Sequence, residues 1–368
     1  MSLNLDFQTP LPRRGIKYHS LPLADACNFA AQFFNSWYHA TTFSAIRTVG
    51  HARTYDLQGK MLRFHQEKYF ISGLKKLGLD AEDSDAVRCA KYHCISNAIG
   101  GLRTRYAVES KDKAWVFYYP HTCEHTAPTV GQAIHTRENM IVDYRGWHAN
   151  NGELLGNHGL IFVATHFMAD GDPFDAGYFF DTGVFVPPGE RSCVQAGERI
   201  PLTLKFQPPA VDPALWPEDR RSKAMRHYAV TWAADRIWTV VHEFGDEGMQ
   251  PVAHGLGLVV YQWLPRLVDA FVDLQSDSPG LEQFLRVFEG IQAMAGCVPE
   301  VRRTEGGAML TCRRSIHDFV AGDVSSVDAS RIDAALRQAW TKIADHFDPK
   351  IRLVTGTRGN WQFSTNGA

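Results

Sequence analysis

"SPGLEQFLRVFEGIQAMAGC" (278–297), followed at once by "PEVRRTEGGAMLTCRR" (299–314), decides the fold class. The first stretch spaces its apolar residues as a helix does and stops on Gly296. The second reads as two strands around a Glu-Gly-Gly turn, a hairpin. Nearer the N-terminus the same order occurs. "DSDAVRCAKYHCISNAIGG" (83–101) opens on the capping residues Asp83 and Ser84 and closes on Gly100–Gly101. "LRTRYAVESKDKAWVFYY" (102–119) then forms a hairpin around a polar Ser-Lys-Asp-Lys turn.

Two further helical stretches precede each of these helices. They are "LADACNFAAQFFNSWYHATTFSAIRTVG" (23–50) and "LQGKMLRFHQEKYFISGLKKLG" (57–78), then "RRSKAMRHYAVTWAADRIWTVVHEF" (220–244) and "GMQPVAHGLGLVVYQWLPRLVDAFVDL" (248–274). Three helices followed by a hairpin, twice, predict an α+β fold of two pseudo-repeated units with a loop-rich central strand segment. The expected boundaries are an N-terminal arm at 1–20, a first unit at 21–205, a Pro-rich linker at 206–220 and a second unit at 221–368. The central segment carries the strands "GLIFVATHF" (159–167) and "AGYFFDTGVFV" (176–186) between polar loops, where binding residues tend to gather. A last helix, "DASRIDAALRQAWTKIADHF" (328–347), precedes two short strands around "VTGTRGNWQFS" (354–364).

At 368 residues the chain exceeds what one core usually fills, in keeping with two units. The net charge of −2 is spread without a basic stripe, which argues against nucleic acid as a partner. No apolar run is long enough for a membrane helix, and the N-terminal residues lack the apolar core of a secretory signal. The seven cysteines include no Cys-x-x-Cys pair, which reads as reduced thiols in a cytoplasmic protein. The expected partner is a small-molecule substrate, and a homo-oligomer is left open. P-loop, GxGxxG, GxSxG and HExxH patterns are all missing, which argues against nucleotide hydrolases, Rossmann enzymes, α/β-hydrolases and zincins.

Chemistry-bearing residues crowd "YYPHTCEHTAP" (118–128), with Tyr119 leading into His121, Cys123 and His125. Cys123 flanked by two imidazoles suits a nucleophile with its general base, since neighbouring imidazolium lowers a thiol pKa. The same residues are a partial ligand set for a divalent metal, completed by Glu124 or by a remote pair such as His166 and Asp170. Packing of a small buried cysteine explains the cluster equally well. In "THFMADGDPFD" (165–175) the aspartates following His166 read first as turn residues bonding their own backbone. Trp147 and His148 offer an aromatic wall and a donor for a small polar ligand. In "CRRSIHDF" (312–319), Arg313 or Arg314 suits a substrate carboxylate, while His317 and Asp318 suit a relay with Cys123 if the two hairpin ends converge. "HEFGDEGMQPVAHGLG" (242–257) has Pro251 within its helical pattern and reads as a solvated face with a break.

The helix leading into that last stretch, "MLTCRRSIHDF" (309–319) and "RLVTGTRGNWQFS" (352–364) together resemble the L-2-amino-thiazoline-4-carboxylic acid hydrolase family over the C-terminal third of the chain. The resemblance implies a hydrolase that opens a C–N bond in a small, often cyclic, carboxylated substrate. Trp361 and Gln362 stand where a cysteine of the terminal strand is expected, so no catalytic residue is carried over. The expectation is a C–N hydrolase with Cys123 as nucleophile and His121 or His125 as base, binding substrate through Tyr119, Trp147, His148, Arg313, Arg314 and His317. Its alternatives are a metal-activated water or oxygen at His121, His125, His166 and Asp170, and a non-catalytic small-molecule sensor.

Overall fold

The computed structural model describes residues 3–4, 15–79, 83–119, 136–275 and 280–365. The chain is α+β, and its contacts divide it into two compact units. The first joins Met1–Gln8 to Ala52–Ala224, and the second joins Thr9–His51 to Met225–Ala368. In chain order the described elements begin with β1 (Leu3–Asn4), α1 (Leu23–Val49), α2 (His51–Lys76), α3 (Asp85–Ile99), β2 (Thr104–Ser110) and β3 (Lys113–Tyr118). Next come α4 (Arg137–Asp143), a π-helical segment Tyr144–His148, α5 (Asn151–Leu155), β4 (Leu160–His166), β5 (Asp175–Asp181), β6 (Ser192–Val194) and β7 (Ala210–Val211). The second half runs α6 (Glu218–Phe244), α7 (Met249–Phe271), α8 (Leu281–Met294), β8 (Glu300–Thr304), β9 (Gly307–Thr311), α9 (Ser326–Phe347), β10 (Arg352–Thr357) and β11 (Asn360–Ser364). Among the described residues no helix is long and apolar enough to cross a membrane.

The grouping differs from the sequence boundaries at two places. Helix α1, expected in the first unit, has its contacts in the second. The Pro-rich stretch 206–220 packs rather than links: β7 pairs with β1, and the indole of buried Trp216 donates to the Lys76 carbonyl at 3.0 Å.

In the first unit five strands lie in the order β2-β3-β5-β4-β6, antiparallel except for the β4/β6 pair. Strand β3, "KAWVFY", is buried from Ala114 to Tyr118, because both sheet faces are covered. Ala114, Val116, Phe162 and Phe179 pack with Cys89 and Ala90 of α3 on one face, while Trp115, Phe117, Val163 and Tyr178 form the other. The predicted Ser84 cap is present, its hydroxyl accepting from Val87 N.

In the second unit the sheet order is β8-β9-β11-β10, all antiparallel. The first four strands of the other sheet run β2-β3-β5-β4, the same serial order. Phe284 and Phe288 of α8, Trp340 of α9 and Trp361 and Phe363 of β11 meet edge-on or tilted, with ring centroids 4.6 to 6.2 Å apart. Helix α7 lies close against α1 because Gly255 has no side chain: a Cβ there would meet Thr41 Oγ1 at 2.5 Å and Thr41 Cα at 2.7 Å. Pro251 does not interrupt a helix. The chain breaks earlier, in a 3-10 turn at Gly245–Gly248, so Pro251 falls in the first turn of α7, where its missing N–H is not needed. Helix α9 is capped by Ser325, whose hydroxyl accepts from Asp328 N at 3.1 Å.

Candidate functional site

Cys123, His121 and His125 lie outside the described residues. Of the residues expected beside them, Tyr119 is half-buried between Phe174 (5.6 Å between centroids) and the Arg103 guanidinium (5.8 Å). His166 Nδ1 bonds its neighbour Thr165 Oγ1 at 2.9 Å, and Asp170 pairs with Arg137 at 3.1 Å. Asp172 and Asp175 accept from the Phe167 and Met168 N–H groups at 2.8 Å each, the turn chemistry expected of them. Among the described residues no group of three or more His, Cys, Asp or Glu side chains is placed to hold a metal.

Trp147 and His148 lie in the core of the first unit. His148 Nε2 is 2.7 Å from Tyr118 Oη, and its ring stacks on His93 with centroids 4.2 Å apart and planes at 17°. His93 Nε2 accepts from Asn151 Nδ2 at 2.7 Å, and Asn151 Oδ1 in turn accepts from Gln66. Burial pushes the His93 pKa down to about 3 and that of His148 well below the ordinary imidazole value. Both rings are therefore neutral at pH 7. Their Nδ1 atoms are buried without a hydrogen-bond partner among the described residues.

In the second unit the segment after β9 builds a different arrangement. A 3-10 turn, Ile316–Phe319, is fixed by a capping box in which Ser315 N donates to Asp318 Oδ2 at 2.6 Å and the Ser315 hydroxyl receives the Asp318 N–H. That corrects the relay expected from sequence. Asp318 is spent on Ser315, and the partner of His317 is Asp333 on α9, with Nε2 to Oδ1 at 2.9 Å. Their side chains are 6% and 8% exposed, so water does not compete for this bond. A carboxylate only accepts, so Nε2 carries a proton, and in the neutral form of the ring Nδ1 is the basic nitrogen. Nδ1 is buried and has no hydrogen-bond partner among the described residues.

Two cavities meet at His317. One is small and partly open, about 40 Å³, and lined by Phe34, Trp37, Cys297, Asp333, Trp340 and Trp361 besides His317. It has room for about one to three waters. The other is a more open groove of about 370 Å³, lined by Arg313, Ser315, His317, Asp318, Asp323 and Arg358 among others. Arg313 and His317, both named from sequence as substrate-binding candidates, line this groove together. The Arg313 pair with Glu300 (3.5 Å) is exposed on both sides and leaves Arg313 available. Arg314 instead lies over the Phe319 ring at 4.4 Å.

Burial holds the two cysteines of this region in the thiol form. Cys297, in the smaller cavity, has its pKa raised by burial, with Arg314 opposing. Cys312 is pushed up to about 11 by burial and by Cys297. Asp333, Arg358 and Cys297 are the site residues that sequence reasoning missed. The available signal was Asp333 itself, a charged residue on the apolar stripe Ala329, Ile332, Leu336, Trp340 of α9. Comparison with protein-family models, with curated proteins and with solved structures returned no match.

Proposed function

We propose that the second unit is a hydrolase module for a small polar substrate, with His317 as general base and Asp333 as the group that orients it. The observation carrying this reading is the buried 2.9 Å His317–Asp333 bond, on a histidine that lines both a small cavity and an open polar groove. A buried base held in one tautomer by a carboxylate is what proton transfer in acyl chemistry uses. The attacking group is water: the smaller cavity has room for it, and burial keeps Cys297 and Cys312 protonated. His317 Nδ1 takes the water proton as the water oxygen bonds to the substrate carbon. The imidazolium, stabilised by Asp333, then returns that proton to the leaving nitrogen as the C–N bond breaks. That the bond is C–N, in an amide, cyclic amide or amidine, follows from the family resemblance of the C-terminal third.

The test is release of amine or ammonia from a panel of small carboxylated amides, cyclic amides and amidines. Wild-type turnover is expected to fall about 10²- to 10⁴-fold in His317→Gln, the usual contribution of a general base. Undiminished turnover in that variant overturns the reading. Saturable binding of panel members without turnover in the wild type makes the protein a sensor instead. Elemental analysis of protein purified without chelator separates the metal route: near-stoichiometric metal lost in His121→Ala replaces the His317 base with a metal-activated water.

A further inference from the structure

The turn between β10 and β11 consists of Arg358 and Gly359, both with positive φ, 31° and 87°. Two-residue hairpin turns of this kind take Asn or Gly at the first position, because positive φ costs most other residues more. Arg358 is the single non-glycine with positive φ among the described residues. An outlier of this kind persists where the surroundings over-determine it, and such positions gather at functional sites. Three bonds hold this one: the Arg358 N–H reaches both oxygens of Asp333, at 3.3 and 3.4 Å, and the Gly359 carbonyl receives the Cys312 N–H at 2.8 Å. The turn is thus anchored to the carboxylate that orients His317.

The Arg358 side chain lines the open groove with His317 and Arg313, and it makes no side-chain hydrogen bond or ion pair among the described residues. Of the two acids in the groove, Asp318 is bound to the Ser315 N–H. A guanidinium that makes no ion pair among the described residues, in a groove that ends on a general base, fits a planar oxyanion through two parallel N–H bonds.

We infer that Arg358 is the specificity-determining residue of this site: its guanidinium takes the anionic end of the substrate, while its own N–H holds Asp333. One residue thereby ties substrate seating to the orientation of the base. The inference rests on the His317 site proposed above, but its test does not use turnover. Acetate is titrated into the full-length protein while the ring resonances of His317, assigned by their loss in His317→Gln, are followed by NMR. A saturable shift is expected in the wild type. Arg358→Asn suits the positive φ and keeps the backbone N–H. It should leave the resting His317 resonances in place and weaken acetate at least tenfold, with Arg358→Lys intermediate. Wild-type acetate affinity in Arg358→Asn, or no acetate response at His317 in the wild type, overturns the inference. Loss of acetate binding in Arg358→Asn beside undiminished turnover in His317→Gln would leave the anion site standing and remove the hydrolase reading.

Discussion

His317 Nε2 and Asp333 Oδ1 meet at 2.9 Å although they come from different elements, a short turn after β9 and the second turn of α9. Each is fixed independently: the turn by its Ser315–Asp318 capping box, the helix by its Ser325 cap and by Trp340 packed on Phe288. The pair is therefore set before any substrate arrives. An arrangement of that kind spends no reorganisation when charge develops on the ring.

Removing the carboxylate should separate stability from orientation. Asp333→Ala leaves His317 Nε2–H and Arg358 N–H without acceptors in a buried setting, so it should lower unfolding free energy by about 1–3 kcal/mol. Asp333→Asn keeps an acceptor oxygen and the same shape, and should cost less than half of that. It cannot stabilise an imidazolium, so any His317-dependent turnover should still collapse. Urea unfolding of both variants beside the turnover assay checks this. Equal destabilisation by the two changes would mean that the charge, not the hydrogen bond, holds the pair.

A water nucleophile makes a chemical prediction about the thiols. With Cys312 at about 11 and Cys297 also raised, neither presents much thiolate at pH 7.5. Both should alkylate with iodoacetamide far more slowly than a free cysteine, whose pKa is about 8.5. Peptide mass spectrometry over a time course gives the rates. Fast labelling of Cys297 that His317→Gln slows would instead make Cys297 the nucleophile.

The helices and hairpins were legible because their signals are local. Gly296 and Gly100 end helices, the apolar spacing Phe29, Phe33, Trp37 lies on the buried side of α1, and the Glu-Gly-Gly turn joins β8 to β9. Helix plus hairpin, read twice, now stands beside two sheets of the same serial strand order. The site was less legible. His317 and Arg313 were singled out from their residue types, but Asp318, adjacent in sequence, looked like the partner when Asp333 was. Which carboxylate faces an imidazole is a matter of how α9 packs, and nothing local to "SIHDF" encodes it. Arg358 carried no signal either, since a positive φ at Arg is the opposite of what turn statistics expect. Trp147 and His148 were read as an aromatic wall and a donor for a small polar ligand, whereas the structure buries both in the core of the first unit.

Two glycines of α7 should respond oppositely to alanine. Gly255 sits against Thr41, and its added Cβ would overlap Thr41 Oγ1 and Cα, so the helices must part. Gly255→Ala should destabilise by about 1–3 kcal/mol, the ordinary range for overpacking. Gly257, two residues on, has nothing within 4 Å of its Cβ position. Gly257→Ala should stabilise by about 0.5–1 kcal/mol through helix propensity alone. Thermal or urea unfolding of the pair decides it, and destabilisation by both would mean that α7 tolerates no added methyl on either side.

The stacked pair His93 and His148 should make the first unit acid-labile well above the carboxylate range. Both imidazoles have folded-state pKa values below the unfolded value near 6.5, His93 at about 3, with burial as the leading cause. As the pH falls below 6.5 the unfolded chain binds protons on both rings that the folded state excludes, so stability falls as pH drops and is flat above about 7. Each ring contributes a slope of about 1.4 kcal/mol per pH unit, so moving from pH 7.5 to pH 5 should remove about 4 kcal/mol. His148→Phe loses the bond to Tyr118 and is less stable at pH 7.5, but it has one such imidazole fewer, so its slope should be half. Urea unfolding at pH 7.5, 6.5, 5.8 and 5.0, followed by tryptophan fluorescence, measures both curves. A wild-type curve that stays flat to pH 5 would mean that protons reach these rings in the folded state, through a partner or an opening that relieves their burial.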